Sequence, residues 1–275
     1  MSWRGSRGVT LAGFLVVAAL ALAAALAPHI VPGSPTEIAS SQALRPPTWS
    51  QPFGMDDLGR SILSRVVHAY RVSLGVAVAS VALALLAGAP LGLVAGYAEG
   101  AIDQLIMRPL DVLMSFPAIL LAIAFMSVFG TGVALVALSL AVVYTPIVAR
   151  VVRAAVLAVK VEIYVDGARA LGAPVPRLVL RHILPNAATP VLVQGSVLMA
   201  IAILVEASLS FLGVGVRPPT PSLGLMLADG RGFMVQAPWM VIFPGLAIMA
   251  AVLGFNMVAD GLRDWLDPQQ AAGRS

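Results

Sequence analysis

Charged side chains are missing from five long stretches of this chain, residues 8–36, 72–98, 112–149, 182–205 and 232–259. A helix that crosses a bilayer needs about 20 mostly apolar residues, so each stretch predicts at least one span. The third holds 38 residues. As a single helix it would run about 57 Å at the 1.5 Å rise per residue, too long for a hydrocarbon core of about 30 Å. The sequence FGTG at 129–132 offers a turn in its middle. Splitting there predicts six spans: 9–31, 72–97, 110–128, 133–151, 188–212 and 239–260. The expected fold class is therefore an all-α integral membrane protein.

The first span also has features of a signal peptide. Arg4 and Arg7 precede it, and ALAPH at 25–29 contains a small-x-small site. The apolar run from Val9 to Ala27 exceeds the usual h-region, and Pro28 would follow the cut. The stretch is read as an uncleaved helix.

Composition agrees with the pattern. The chain has 275 residues, 59% hydrophobic and 11% charged, where a soluble domain carries roughly 25% charged residues. A net charge of +4 would suggest nucleic acid in a soluble domain. Here the charges sit between apolar runs, so they speak of orientation instead, and no nucleic-acid partner is expected. With the N-terminus inside, inner segments hold eleven Lys/Arg: Arg4, Arg7, Arg108, Arg150, Arg153, Lys160, Arg169, Arg177, Arg181, Arg263 and Arg274. Outer segments hold six: Arg45, Arg60, Arg65, Arg71, Arg217 and Arg231. The positive-inside rule then predicts both termini in the cytoplasm. Of the two long outer segments, 32–70 and 213–238, the second is rich in Pro and Gly. It reads either as an ordered loop that covers a pore mouth or touches a partner, or as a plain connector.

One inner segment breaks the apolar pattern. Between Arg150 and Arg181 lie six Lys/Arg against two acids, Glu162 and Asp166. Val161, Val165, Ala168 and Leu171 recur at helical spacing, predicting a helix over 161–172. Gly172 is its natural end, since glycine adopts the left-handed conformation freely. Pro174 and Pro176 prevent immediate continuation. A second short helix is predicted from Arg177 to Leu184, with Pro185 ending it or starting the next span. The segment could lie on anionic headgroups through its arginines. It could equally be a docking knob, where Gly167 and Ala168 let a cytoplasmic protein approach closely.

The chain shows little chemistry of its own. Its one lysine, Lys160, is followed by Val161, so no Gly-Lys-Ser/Thr phosphate loop exists. HExxH and GxSxG are absent, as are cysteines. His29, His68 and His182 are far apart, and no metal centre is expected. Glu206 is the one ionisable residue well inside a span. It reads either as a functional intramembrane group or as a structural acceptor near the outer interface, with Ser208 and Ser210 beside it. The adjacent acids Asp56 and Asp57 are expected to cap a helix starting near Leu58. No internal repeat supports the inverted-repeat architecture of many secondary carriers. Transport powered by another subunit is the reading that remains.

DGARALGAPVPRLVLRHILP at 166–185 resembles the cytoplasmic Glu-Ala-Ala loop of permease subunits in ATP-binding-cassette importers. Asp166, Gly167 and Ala168 stand for the Glu-Ala-Ala, followed by Arg169; Gly172 stands for the glycine, and Leu184–Pro185 for the close. Asp for Glu and Gly for Ala are departures. FGMDDLGRSILSR, LDVLMSFPAILLAIA, EASLSFLGVGVRPPTPSLG and FNMVADGLRDWLDP are similar to the dipeptide/oligopeptide/nickel branch, and within it to the second permease type. Met55 and Ser61 depart from the Thr and Asp often seen in the first of these.

The resemblance implies a type I importer permease in the cell inner membrane, multi-pass and surrounded by lipid. It implies a homologous permease partner, one or two ATPase subunits that bind ATP and Mg, and an extracytoplasmic solute-binding protein. The chain itself would hold no cofactor and no ATPase site. Its implied divisions are 1–31 (tail and first helix), 32–70 (extracytoplasmic), 71–262 (permease domain, with a coupling loop at 152–187) and 263–275 (cytoplasmic tail). The implied cargo is a di- or oligopeptide, with nickel, glutathione or another small solute as the alternative. A secondary transporter or channel is the alternative from another class.

Overall fold

The computed structural model describes residues 3–31 and 34–266. Most of the predicted tail at 263–275, including Arg274, lies outside the described residues. Helix α1 covers Trp3–Ala25 and is followed by a short α2, Ala27–Ile30. Residues 34–61 form an irregular segment with one 3-10 turn, Ser40–Gln42. Then come α3 (Ile62–Ala98), α4 (Gly100–Met114), α5 (Ala118–Phe129) and α6 (Val133–Val159). The basic segment holds α7 (Ile163–Ala170), α8 (Val175–Arg177) and a π-helical turn, Leu178–Ile183. It leads into α9 (Leu184–Phe211), and α10 (Leu223–Gly230) and α11 (Trp239–Leu266) complete the fold. Among the described residues there is no β-strand, only an isolated bridge between Met55 and Ser61.

Five helical stretches are long and apolar enough to cross a membrane, and α4 with α5 makes a sixth if that bent pair is one span. The third predicted span is not straight: α4 and α5 meet at 92°. The cause is Pro117, which has no N–H to donate and excludes the helical region for Phe116 before it. The predicted turn at 129–132 is present, with Gly130 and Gly132 both at positive φ.

The second span begins ten residues before its predicted start. At 37 residues, α3 runs about 55 Å, longer than a hydrocarbon core of about 30 Å. Gly59 at φ +72° blocks a helix from Leu58. Ser61 caps the helix instead, its side chain accepting from the Ser64 N–H. Asp56 therefore does not cap a helix, contrary to the sequence expectation.

The centre of the bundle is α6, packed between α3 and α9. Leu140 and Tyr144 of α6, with Leu198 and Ile203 of α9, are almost completely buried. Gly88, Gly92 and Gly96 recur every fourth residue along α3. A Cβ on Gly88 would lie 2.7 Å from the Thr145 carbonyl oxygen, and one on Gly96 would lie 2.9 Å from that of Arg153. A Cβ on Gly92 would collide with the Ala149 carbonyl. These small residues let two parallel backbones touch, which is how helices associate where lipid removes the hydrophobic drive.

On the other side of the bundle α11 packs on α9, and α1 on α11. Gly261 meets Thr10, Gly13 meets Met257 and Gly254 meets Val16 and Val17. This register is antiparallel, so the start of α1 and the end of α11 lie on one face of the bundle. The basic segment shares that face. Residues 34–61 and 212–238 lie at the opposite end.

Candidate functional site

At the end of α6 the backbone turns through Lys160. Its ammonium reaches the carbonyls of Gly96 and Tyr97 at 3.3 and 3.4 Å and pairs with Glu99. It thus places a cation on the negative C-terminal end of α3. Helix α7 follows, anchored by Val165, which is fully buried.

Gly172 ends α7 at φ +78°. The Gly172 N–H donates to the Arg169 carbonyl and the Ala173 N–H to that of Ala168, at 3.0 and 3.1 Å. This pair of bonds is the Schellman motif. Ala168 and Ala173 pack together against the core. Of the two small residues at 167–168, Gly167 is therefore the one with open space, nothing lying within 4 Å of an added Cβ.

After Pro174 and Pro176 the chain re-enters a helix, anchored by buried Leu178 and Ile183. It does not stop at Pro185. That residue has no N–H for the Arg181 carbonyl, and the turn before it widens, the Leu184 N–H reaching back to Val179. Leu184 and Pro185 thus form the first turn of α9, both exposed. The segment presents large apolar side chains outward, Ile163 89% and Leu171 91% exposed, with Tyr164 and Leu180 beside them. Asp166 and Arg169 form an ion pair at 2.6 Å, each more than half or about half exposed.

Glu206 lies at the opposite end of the bundle and is fully buried. One carboxylate oxygen accepts from Ser73 of α3 at 2.7 Å. The other accepts from Ser210, one turn along α9, and from Ser222, just before α10, both at 2.9 Å. Ser210 in turn accepts the Val216 N–H at 3.1 Å. Glu206 thus ties α3, α9 and the 212–222 loop together without a cation among the hydrogen-bonding groups. Of the two serines expected beside it, Ser210 belongs to the cluster. Ser208 instead donates to the Leu204 carbonyl on the exposed side.

Sequence reasoning missed a second buried cluster at that end. Asp56 accepts from the Leu58 and Arg60 backbone N–H groups at 2.9 and 2.8 Å. Its other oxygen takes Arg60 at 2.6 Å and Arg65 at 2.5 Å. Arg65 also reaches Asp229 of α10 at 3.3 Å. The spacing of Asp56, Arg60 and Arg65 is the signal in the sequence, masked by Asp57 next door, which makes the two acids resemble a helix cap. Burial, then the neighbouring Asp56 charge, pushes the Asp57 carboxyl above its ordinary value. The same segment is fastened to α11: Phe53 stacks on Phe243 at 4.1 Å, and the Trp239 indole donates to the Met55 carbonyl at 3.1 Å.

Residues 88–271 match the family described as "Binding-protein-dependent transport system inner membrane component". The dipeptide transport system permease protein DppC of Alkalihalophilus pseudofirmus is 42% identical over 261 residues, covering 95% of this chain and 86% of the relative. The protein of the same name from Haemophilus influenzae is 41% identical, covering 97% and 92%. The glutathione transport system permease protein GsiD of Pectobacterium atrosepticum is 46% identical, covering 79% and 72%. Among solved structures, the MetNI methionine ABC transporter in inward-facing conformations shares the fold, with a TM-score of 0.62 at 16% identity, covering 74% of this chain and 96% of that one. The apolar helices, the shared fold and these matches together show that the chain belongs to the family of binding-protein-dependent transport system inner membrane components, multi-pass permeases of ABC importers.

Proposed function

We propose that the chain forms half of the translocation path for di- and oligopeptides and that the 152–187 segment couples it to cytoplasmic ATPases. The observation that carries the coupling claim is the anchored knob around α7. Val165, Leu178 and Ile183 anchor it and Gly172 ends it, while Ile163 and Leu171 stand exposed on the face that holds most of the Lys/Arg. Asp166, Gly167, Ala168, Arg169, Gly172, Leu184 and Pro185 shape this knob. Movement of a docked ATPase would pass through α9 and α6, which leave the knob directly. A switch of this kind requires contacts that differ between its two states.

The complex in this reading contains a homologous permease and one or two ATPases, which bind ATP and Mg. An extracytoplasmic solute-binding protein delivers the cargo. This chain supplies no cofactor and no nucleotide site. Both termini face the cytoplasm, and 32–70 and 213–238 face outward as parts of the delivery side. The division into a first helix (1–31), an outer segment (32–70), a permease domain (71–262) and a tail (263–275) belongs to the same reading.

Peptide cargo is supported by the names of the relatives that span nearly the whole chain. Glutathione, itself a small peptide, is the second reading, favoured by the 46% identity to a glutathione permease. The test is uptake into vesicles holding the full complex and its cognate binding protein. Labelled di- and tripeptides should enter only with ATP, and unlabelled peptides should compete. Uptake of glutathione alone, unaffected by other peptides, would replace the first reading by the second.

A further inference from the structure

The contact between α4 and α6 combines the apolar packing of Met107 and Leu110 near Ala149 with two ion pairs. Asp103 takes both Nε and a terminal nitrogen of Arg153, at 2.5 and 2.6 Å. Asp111 takes Arg150 at 2.6 Å. Between these pairs lies an open cleft of about 400 Å³. A third guanidinium, Arg108, lines the same cleft. Its hydrogen bond runs to the neutral Gln104 at 3.1 Å. Among the described residues no carboxylate lies within ion-pair distance of it. Three positive side chains therefore face two negative ones, and exposed Arg108 carries the unbalanced charge.

The surroundings suit an anion with a greasy tail. Ile102, Leu105 and Val112 of α4 are 50%, 77% and 61% exposed, and α4 turns 92° away from α5. An amphipathic helix with cations beside an open apolar face fits a headgroup boundary. Basic clefts between spanning helices suit phosphate headgroups, and the planar guanidinium fork matches phosphate oxygens.

We propose that this cleft binds a phosphate anion, clamped by Arg108 and Arg150, with Asp103 and Asp111 holding Arg153 and Arg150 in place. A phospholipid headgroup and free inorganic phosphate share this chemistry. The apolar face of α4 would seat acyl chains, which favours the lipid. The site would pin α4 to the membrane surface beside the end of α6 from which the basic segment departs. It does not depend on which cargo the complex carries.

The test uses the full complex with Leu105→Trp as a reporter, the parent's own tryptophan signal being subtracted. Brominated phosphatidylglycerol should quench the reporter with about fivefold higher apparent affinity than brominated phosphatidylcholine, the factor one basic side chain contributes at an anionic surface. Arg108→Gln should remove the preference, and Arg108→Lys should keep most of it. Arg108 is exposed and bonds only Gln104, so both variants should assemble. A parallel arm measures binding of radiolabelled inorganic phosphate to the complex in detergent. Phosphate binding that Arg108→Gln abolishes, without any lipid preference, makes free phosphate the occupant and keeps the site. The proposal is overturned if neither lipid preference nor phosphate binding is found, or if either one persists unchanged in Arg108→Gln.

Discussion

Ser73 on α3 donates its hydroxyl to Glu206 on α9 at 2.7 Å, joining helices more than a hundred residues apart in sequence. Ser210 and Ser222 complete the shell around the same carboxylate. The arrangement makes Glu206 an acceptor for three hydroxyls at a helix junction. In Glu206→Gln the amide oxygen can keep Ser210 and Ser222, while the NH2 donates to a rotated Ser73 hydroxyl. Glu206→Ala leaves three buried hydroxyls without their acceptor, each at about 1–3 kcal/mol. Uptake by the Gln variant should be near normal, and the Ala variant should assemble poorly. A fully assembled Gln variant that does not transport would show that the charge itself is needed.

Asp56 and Arg65 are 1% and 4% exposed. Removing one partner of such a buried pair costs about 3–5 kcal/mol, so Asp56→Asn should sharply lower the yield and melting temperature of the purified complex. Asp57 should behave oppositely. Its carboxyl is raised in the folded protein, so the folded state holds that proton more tightly than the unfolded one. Its destabilising effect is absent below the unfolded value and grows as pH rises through the folded one. Asp57→Asn should therefore melt at or above the parent temperature near neutrality, with the difference vanishing as pH falls into the acid range.

Two glycines on α3 provide an internal comparison. An added Cβ on Gly75 meets nothing within 4 Å, whereas one on Gly92 meets the Ala149 backbone. Gly75→Ala should stabilise the helix by about 0.5–1 kcal/mol. Gly92→Ala should cost about 1–3 kcal/mol by forcing the helices apart. Thermal melts of the two variants in detergent should move in opposite directions.

These contrasts show where the sequence was informative. Charge-free stretches located the spans because a bilayer demands long apolar runs, and Gly172 marked a helix end because few other residues adopt its φ. The bend at Pro117 leaves no mark in the hydrophobic pattern, which continues across it unbroken. The early start of α3 was hidden by Arg65 and Arg71, which look like loop residues until Asp56 is known to bury Arg65. The Gly88–Gly92–Gly96 ladder was visible as a spacing, but nothing in one chain says which helix it meets. Glu206 stood out at once, yet its partners Ser73 and Ser222 come from separate elements that only the fold brings together.

Orientation can be tested with single cysteines, since the chain contains none. Thr48→Cys and Arg217→Cys lie at one end of the bundle, and Arg169→Cys lies at the other. An impermeant thiol reagent added to intact cells should label the first two and spare the third. Labelling at position 169 alone would invert the proposed topology.

The central claim is that the α7 knob couples ATPase motion to the path, and Gly172→Val with Asp166→Lys tests it most directly. A Cβ at 172 meets nothing within 4 Å, so the main expected cost of valine is the left-handed strain, roughly 1–2 kcal/mol. Asp166 makes an exposed pair with Arg169, a type worth about 0–1 kcal/mol. Neither change should therefore prevent the permease from reaching the membrane. The measurement is ATPase co-purification with the reconstituted complex, read beside binding-protein-stimulated ATP hydrolysis and uptake. The account predicts normal amounts of permease with weakened ATPase retention, or with hydrolysis no longer tied to uptake. Full retention and full coupled uptake in both variants would contradict it, leaving the basic segment as a connector on the lipid surface.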